Sequence, residues 1–282
     1  MLDLTVHNTG LAIGDKPRVT GVRINFRDRH LEEVNGANIT VWSPYSPATG
    51  LVNGLALGLP ATGARDISGI ALGVIGAGAD RSMTGIALGG IGVGAGGDMR
   101  GIMIGGIGAG GGGSMTGLSI GGIGVGGAGN MTGIQLGGIG VGSGANVTGI
   151  SVGGVGVGSA GDVTGISIGG IGVGAGGRIT GLSIGGVGVG APRIKGIIIG
   201  GVGAGGEMVK AVSVTGVYFK IADRGRLDGA SFSAVNNIRG LQHGLTIGLW
   251  NYAHELHGAQ IGVINISDNG GSRRVLPLIS VR

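Results

Sequence analysis

The stretch Asp162-Val163-Thr164-Gly165-Ile166-Ser167-Ile168-Gly169-Gly170-Ile171-Gly172-Val173-Gly174-Ala175-Gly176-Gly177 is one copy of the unit that decides the fold. Its Thr-Gly glycine recurs at Gly85, Gly101, Gly117, Gly133, Gly149, Gly165 and Gly181, always 16 residues apart. Self-similarity at a fixed short period marks an array of stacked units. Looser copies are anchored upstream at Gly69, Gly54, Gly36 and Gly21, and downstream at Gly196, Ala211, Gly229, Gly244 and Gly258, with spacings of 14 to 18. Atypical end units are expected because they must cap the array. The chain therefore reads as diverged capping repeats over 1–66, regular repeats over 67–206 and diverged capping repeats over 207–282.

Within a unit the period is two. Ile166 and Ile168 fall on one side of an extended run and Gly165, Ser167 and Gly169 on the other; the Gly169-Gly170 doublet then starts a second run, Ile171 to Gly174. Alternation with β-branched residues is the strand signal, and a Gly-Gly inside it signals a bend. Two all-β architectures fit. In a parallel β-solenoid each 16-residue unit is one flattened coil of two short strands, and coils stack at about 4.8 Å. The expectation is that Met131 or Val163 and the Ile, Leu and Val that follow fill the interior, with Gly and Thr ladders outside and Asn ladders at corners (Asn251, Asn265). In the alternative, a transmembrane antiparallel β-barrel, each unit is one spanning strand and its aliphatic face meets lipid. Residues 82–192 hold no aromatic for an interfacial girdle, and every turn has the same chemistry. Both features favour the solenoid.

Composition excludes the commoner alternatives. Glycine accounts for 74 of 282 residues, aromatics for 3% and charged residues for 12%, while aliphatics remain plentiful. Disorder would be poor in β-branched residues, and collagen would need far more than the six prolines present. A membrane helix cannot carry this much glycine, at roughly 1 kcal/mol per position. There is no cysteine, hence no disulfide, thiolate metal site or cysteine nucleophile. The chain opens Met1-Leu2-Asp3 without a basic-then-apolar signal segment. The net charge of +5 gathers towards the ends, with no basic stripe interleaved with aromatics, so nucleic acid is not an expected partner.

The copies Gly244-Leu-Thr-Ile-Gly-Leu-Trp-Asn251-Tyr-Ala and Gly258-Ala-Gln-Ile-Gly-Val-Ile-Asn265 resemble a family of bacterial surface-repeat proteins, whose units read Gly-aliphatic-Gln-Ile-Gly-aliphatic-aliphatic-Asn. The resemblance is specific over residues 244–282. It implies a place at the cell envelope or surface, including the outer membrane, and implies no particular activity. The chain ends Ser-Val-Arg282 rather than on the aromatic residue of an outer-membrane assembly signal.

Motifs that could carry chemistry are weak. Gly92-Val-Gly-Ala-Gly-Gly97 fits G-x-G-x-x-G, but near-copies recur at every unit and no helix follows, so it reads as a repeat turn. His254-Glu-Leu-His257 has His residues three apart and no third ligand, and reads as a surface turn near His243. The column Ser82, Asp98, Ser114, Asn130, Asn146, Asp162, Arg178 lacks the invariant Asp of a calcium-binding roll. Four glycosylation sequons are present, two of them produced by the repeat itself. No nucleophile–base or paired-carboxylate constellation appears, so the expectation is no enzyme, no cofactor and no metal.

The candidate interaction rank is Thr84, Thr116, Thr132, Thr148, Thr164 and Thr180, interrupted by Arg100 and Lys195; Ser119, Ser151, Ser167 and Ser183 form a partial second rank. Stacked coils would turn these into a hydroxyl lattice suited to ice or polysaccharide. The expected function is a structural or surface-interaction repeat protein, a rigid solenoid whose partners are copies of itself or a membrane. An outer-membrane barrel acting as pore or scaffold is the rival.

Overall fold

The computed structural model describes all 282 residues, is built of strands joined by turns with no α-helix, and divides into two compact units, Met1–Gly144 and Ala145–Arg282. The first unit contains β1 (Leu2–Val6), β2 (Thr9–Ile13), β3 (Arg18–Asn25), β4 (Glu33–Thr40), β5 (Leu51–Gly58), β6 (Ala61–Gly73), β7 (Gly76–Gly89), β8 (Gly92–Ala95), β9 (Met99–Gly105), β10 (Gly108–Gly111), β11 (Met115–Gly121), β12 (Gly124–Gly127), β13 (Met131–Gly137) and β14 (Gly140–Ser143). The second contains β15 (Val147–Gly153), β16 (Gly156–Ser159), β17 (Val163–Gly169), β18 (Gly172–Ala175), β19 (Arg178–Gly185), β20 (Gly188–Gly190), β21 (Arg193–Gly200), β22 (Gly203–Thr215), β23 (Tyr218–Phe232), β24 (Val235–Ile247), β25 (Trp250–Ser267) and β26 (Arg274–Val281).

Each unit is a parallel β-solenoid. A central coil is a seven-residue strand followed by a four-residue strand, as in β17 and β18. Like strands pair in parallel and in register with the next coil, Gly149 with Gly165, Gly165 with Gly181 and Gly181 with Gly196. The first unit repeats this, with Gly101 opposite Gly117 and Gly117 opposite Gly133. Within each unit the looser anchors join that unit's own glycine column, and Gly10, opposite Gly21, extends the first unit's column by one. Two strands per repeat and parallel pairing rule out the antiparallel barrel with one strand per repeat.

Glycine is required where backbones meet. Gly165 has φ +114°, and a Cβ there would lie 2.1 Å from the carbonyl oxygen of Gly149 in the preceding coil. At the bend, a Cβ on Gly169 would lie 2.0 Å from the Gly172 oxygen of its own coil, and one on Gly170 would lie 1.8 Å from Gly154 O below. The doublet therefore folds tightly within its coil and stacks flat on its neighbour. Backbone bonding continues around this corner: the Ile171 N–H donates to Val155 O at 2.6 Å and the Val187 N–H to Ile171 O at 2.7 Å.

The interior is not the expected one. Val163, Ser167, Gly169 and Val173 point inward, whereas Ile166, Ile168 and Ile171 point outward. The expectation that the Ile and Leu fill the core is corrected: the apolar interior of the regular coils comes from the Met/Val/Ile column (Met131, Val163, Ile179), the Val173 column and, where it is not Ser or Gln, the Ser167 column (Met103, Ile198). The reason is parity. Ile166 lies two residues beyond Thr164 on an unbroken strand, so both show the same face. Gly169 on the inner face lets the two strand layers close to within a small side chain. Volumes compensate across the gap: hypothetical Cβ atoms at Gly111 and Gly127 meet the Met115 side chain at 3.2 and 3.3 Å.

Both ends reverse strand direction. At the N-terminus β1 runs antiparallel to β2 through the two-residue turn His7-Asn8, both at positive φ, the type I′ geometry that suits a tight hairpin. At the C-terminus β26 runs antiparallel to β25. Each end of the chain thus finishes in an antiparallel strand and not in a further parallel coil.

The end coils have polar interiors. Asn236, Asn251 and Asn265 form a fully buried ladder in which Asn236 Nδ2 donates to Asn251 Oδ1 at 2.8 Å and Asn251 Nδ2 to Asn265 Oδ1 at 2.7 Å. Gln260 Nε2 donates to Gln242 Oε1 at 3.2 Å in a neighbouring column. In the first unit, fully buried Arg23 donates to Asp28, to Asn38 Oδ1 at 2.8 Å and to Asp15 Oδ1 at 2.7 Å. Asp28 also accepts from Thr40 Oγ1 at 2.7 Å.

Candidate interaction surfaces

The outward side of the long strands carries parallel aliphatic ranks. In the second unit one rank contains Ile150, Ile166, Leu182, Ile197 and Val212, in register. A second contains Val152, Ile168, Ile184, Ile199 and Val214, and corner residues Ile171, Val187 and Val202 add a third. Ile166 keeps 39% of its surface exposed and Ile171 54%. The first unit has its own ranks, with Ile86, Ile102, Leu118 and Ile134 in register and Ile91, Ile107, Ile123 and Ile139 at the corner. A strip roughly 15 Å wide along about 34 Å of stacked coils presents about 500 Å² of apolar surface on one unit.

Beside the strip runs the Thr rank. Thr116 pairs with Thr132 in the first unit, and Thr148, Thr164 and Thr180 are in register in the second. All face outward, as does Thr84, which neighbours Arg100. In the second unit the column passes to Lys195 and Lys210 and then to Asp228, His243 and His257. The Ser rank is corrected: Ser119, Ser151, Ser167 and Ser183 are buried inside the coils and belong to no surface lattice.

The corner column has a structural task. Asp98 Oδ1 accepts from the Ser114 N–H at 2.9 Å, Asn146 Oδ1 from the Asp162 N–H at 2.7 Å and Asp162 Oδ1 from the Arg178 N–H at 2.7 Å. Each side chain thus binds the next coil's turn. His243 faces Asp228 at 3.2 Å and His257 faces Glu255 at 2.9 Å, and no group of three or more metal-ligating side chains forms. Gly92–Ala95 is a repeat strand, without the helix a dinucleotide site needs.

One surface was missed by the sequence reading. On the outward side of the short strands the columns of Gly203 and Gly205 become Tyr218, Val235 and Trp250, and Lys220, Asn237 and Tyr252. The Trp250 and Tyr252 rings lie 6.0 Å apart at 14° to one another. They line a groove of about 610 Å³ together with Arg224, Arg239, Arg273 and His254. Burial and the bond from its hydroxyl to Asp268 raise the Tyr252 pKa, and Arg273 foremost holds Asp268 below the ordinary range. The signal was available in the breakdown of the glycine columns after residue 205. Comparison of the chain with protein-family models, curated proteins and solved structures finds no match in any of the three.

Proposed function

We propose that this chain is a non-enzymatic structural repeat protein of the bacterial cell envelope that self-associates through its outward aliphatic ranks. The observation that carries this reading is the inverted side-chain distribution, with Ile166, Ile168 and Ile171 outside and Ser167 inside. Contiguous exposed apolar strips of this size mark interaction surfaces. A second copy is the fitting occupant because the strip is periodic: identical side chains repeat at about the 4.8 Å strand spacing, so ridges of one copy seat between those of another, as in dry sheet-on-sheet interfaces. The central columns are nearly uncharged, which suits a like surface better than anionic lipid. Stable complexes bury about 800 Å² per partner, so pairing through one unit's strip alone is weak and reversible. The envelope placement rests on the surface-repeat resemblance of residues 244–282.

The test is sedimentation velocity over a concentration series. The wild type is expected to associate with concentration. The double substitution Ile166→Glu and Leu182→Lys, at residues that face each other across β17 and β19, introduces an opposite-charge pair the sheet tolerates and shifts the chain towards monomer. A wild type that stays monomeric, or a variant that associates equally, refutes the reading.

A second reading is favoured by the outward, in-register Thr148, Thr164 and Thr180: a hydroxyl rank that binds ice or polysaccharide. Thermal hysteresis at high protein concentration tests the ice version, and its absence ends it.

A further inference from the structure

The aromatic groove at the end of the second unit differs from the glycine face it continues. Elsewhere the short-strand face shows bare backbone: Gly158 has nothing within 4 Å of a hypothetical Cβ, and Gly188 meets only a backbone oxygen at 3.2 Å. From β23 to β25 the same two columns bear Tyr218, Asn237, Trp250 and Tyr252. Trp250 and Tyr252 are alternate residues of one strand, and their nearly parallel rings stack, centroids 6.0 Å apart, as one aromatic platform. Three guanidinium groups rim it, from Arg224, Arg239 and Arg273, against one lining carboxylate, Asp223. Arg239 and Asp223 are 3.8 Å apart and both well exposed, a contact too weak to hold Arg239 from a ligand. Arg273 is anchored by Asp268, which also accepts from the Tyr252 hydroxyl at 2.8 Å, so platform and cation are fixed to each other. Asn237 Nδ2 donates to the Tyr218 hydroxyl at 2.8 Å, and its carbonyl adds a neutral acceptor beside the rings. Arg224 sits at φ +59°, an uncommon conformation for a long side chain and one met at binding sites.

We infer that this groove binds an anionic glycan, a sugar ring lying against the stacked Trp250–Tyr252 pair and its carboxylate or sulfate groups paired with Arg224 and Arg239. Flat aromatic faces accept the apolar face of a pyranose, neutral amide and hydroxyl groups match its hydroxyls, and guanidinium forks bind acid groups in two-point fashion. A single-stranded nucleic acid fits less well, because it needs a basic track along its backbone. Here the face leading away is glycine, with Lys220 the one cation on it. The site is independent of the aliphatic strip, which lies on the long strands.

The experiment uses tryptophan fluorescence. The chain has two tryptophans, and Trp42→Phe, in the other unit, leaves Trp250 as the only reporter. The titrants are oligosaccharides of polygalacturonate (carboxylated), heparin (sulfated) and dextran (neutral), and a poly-uridylate RNA. A saturable change with either acidic oligosaccharide, weakened by salt and absent with dextran, is expected; which of the two binds tighter identifies the acid group. Arg239→Gln, on an exposed side chain that cannot unfold the coil, weakens binding about ten-fold, the effect of losing one charge-assisted pair. Lys195→Ala, on the long-strand face, leaves it unchanged. No saturable response to either acidic oligosaccharide, equal binding of dextran, tighter binding of the RNA, or insensitivity to Arg239→Gln overturns the inference.

Discussion

Gly165→Ala and Gly158→Ala are the same substitution seven residues apart, and the structure gives them opposite signs. At Gly165 the backbone stands at φ +114° and the new methyl would lie 2.1 Å from the Gly149 carbonyl oxygen. The conformational strain costs about 1–3 kcal/mol. Relief of the clash requires the coils to part, adding about 1–3 kcal/mol as overpacking. The lower entropy of an unfolded alanine chain returns only about 0.4–1 kcal/mol, leaving a net loss of roughly 1–6 kcal/mol. Gly158 meets nothing within 4 Å and is not at positive φ, so there the entropic gain of about 0.4–1 kcal/mol stands alone. The one alanine in the Gly165 column, Ala211, is not at positive φ, consistent with a conformational requirement. Urea denaturation followed by circular dichroism measures both. A loss below about 1 kcal/mol at Gly165, or an equal loss at Gly158, would refute the reasoning.

Other substitutions probe the interior. Gln135 is fully buried with neither amide atom hydrogen-bonded, so Gln135→Met, the residue type at Met103 in the same column, should stabilise by about 1–2 kcal/mol in the same denaturation assay. Arg23→Met leaves Asp28 buried beside uncharged neighbours and should cost about 3–5 kcal/mol, with local loss of amide protection over β3 and β4 in hydrogen exchange. Asp66 is pushed up by burial, but bonds from Arg81, Ser82 and Arg65 outweigh this and lower its pKa. A lowered native pKa contributes stability above the unfolded value near 4 and loses it as pH falls through the native value. Melting temperature should therefore fall on acidification below about pH 4, and less steeply in Asp66→Asn.

Much of the architecture was legible because it follows from periodicity. The 16-residue register, the bend at Gly169-Gly170, the stacking of Asn251 on Asn265 (though it is buried inside the coils and not at a corner) and the outward Thr rank read from spacing and turn chemistry. Which face is buried was not read correctly, because alternation is symmetric and hydrophobicity alone assigns the aliphatic side inward. The deciding clue lay in the unit itself: Thr164 and Ile166 have the same parity, so a Thr rank outside forces the Ile outside. The aromatic groove escaped notice because its parts are spread over residues 218–273 and meet only through coil stacking. The Arg23 cluster was hidden for the same reason, its carboxylates coming from loops flanking β3.

The inverted side-chain distribution also bears on how stability responds to temperature. Heat-capacity change on unfolding is raised by newly hydrated apolar surface and lowered by newly hydrated peptide groups. Here many isoleucines are already wet in the native coils, while the hydrogen-bonded backbone is what unfolding hydrates. The heat-capacity increment per residue should then fall below the usual ~12–15 cal/mol/K. Such a protein has a shallow stability curve, changing little between cold and warm water, and resists cold denaturation.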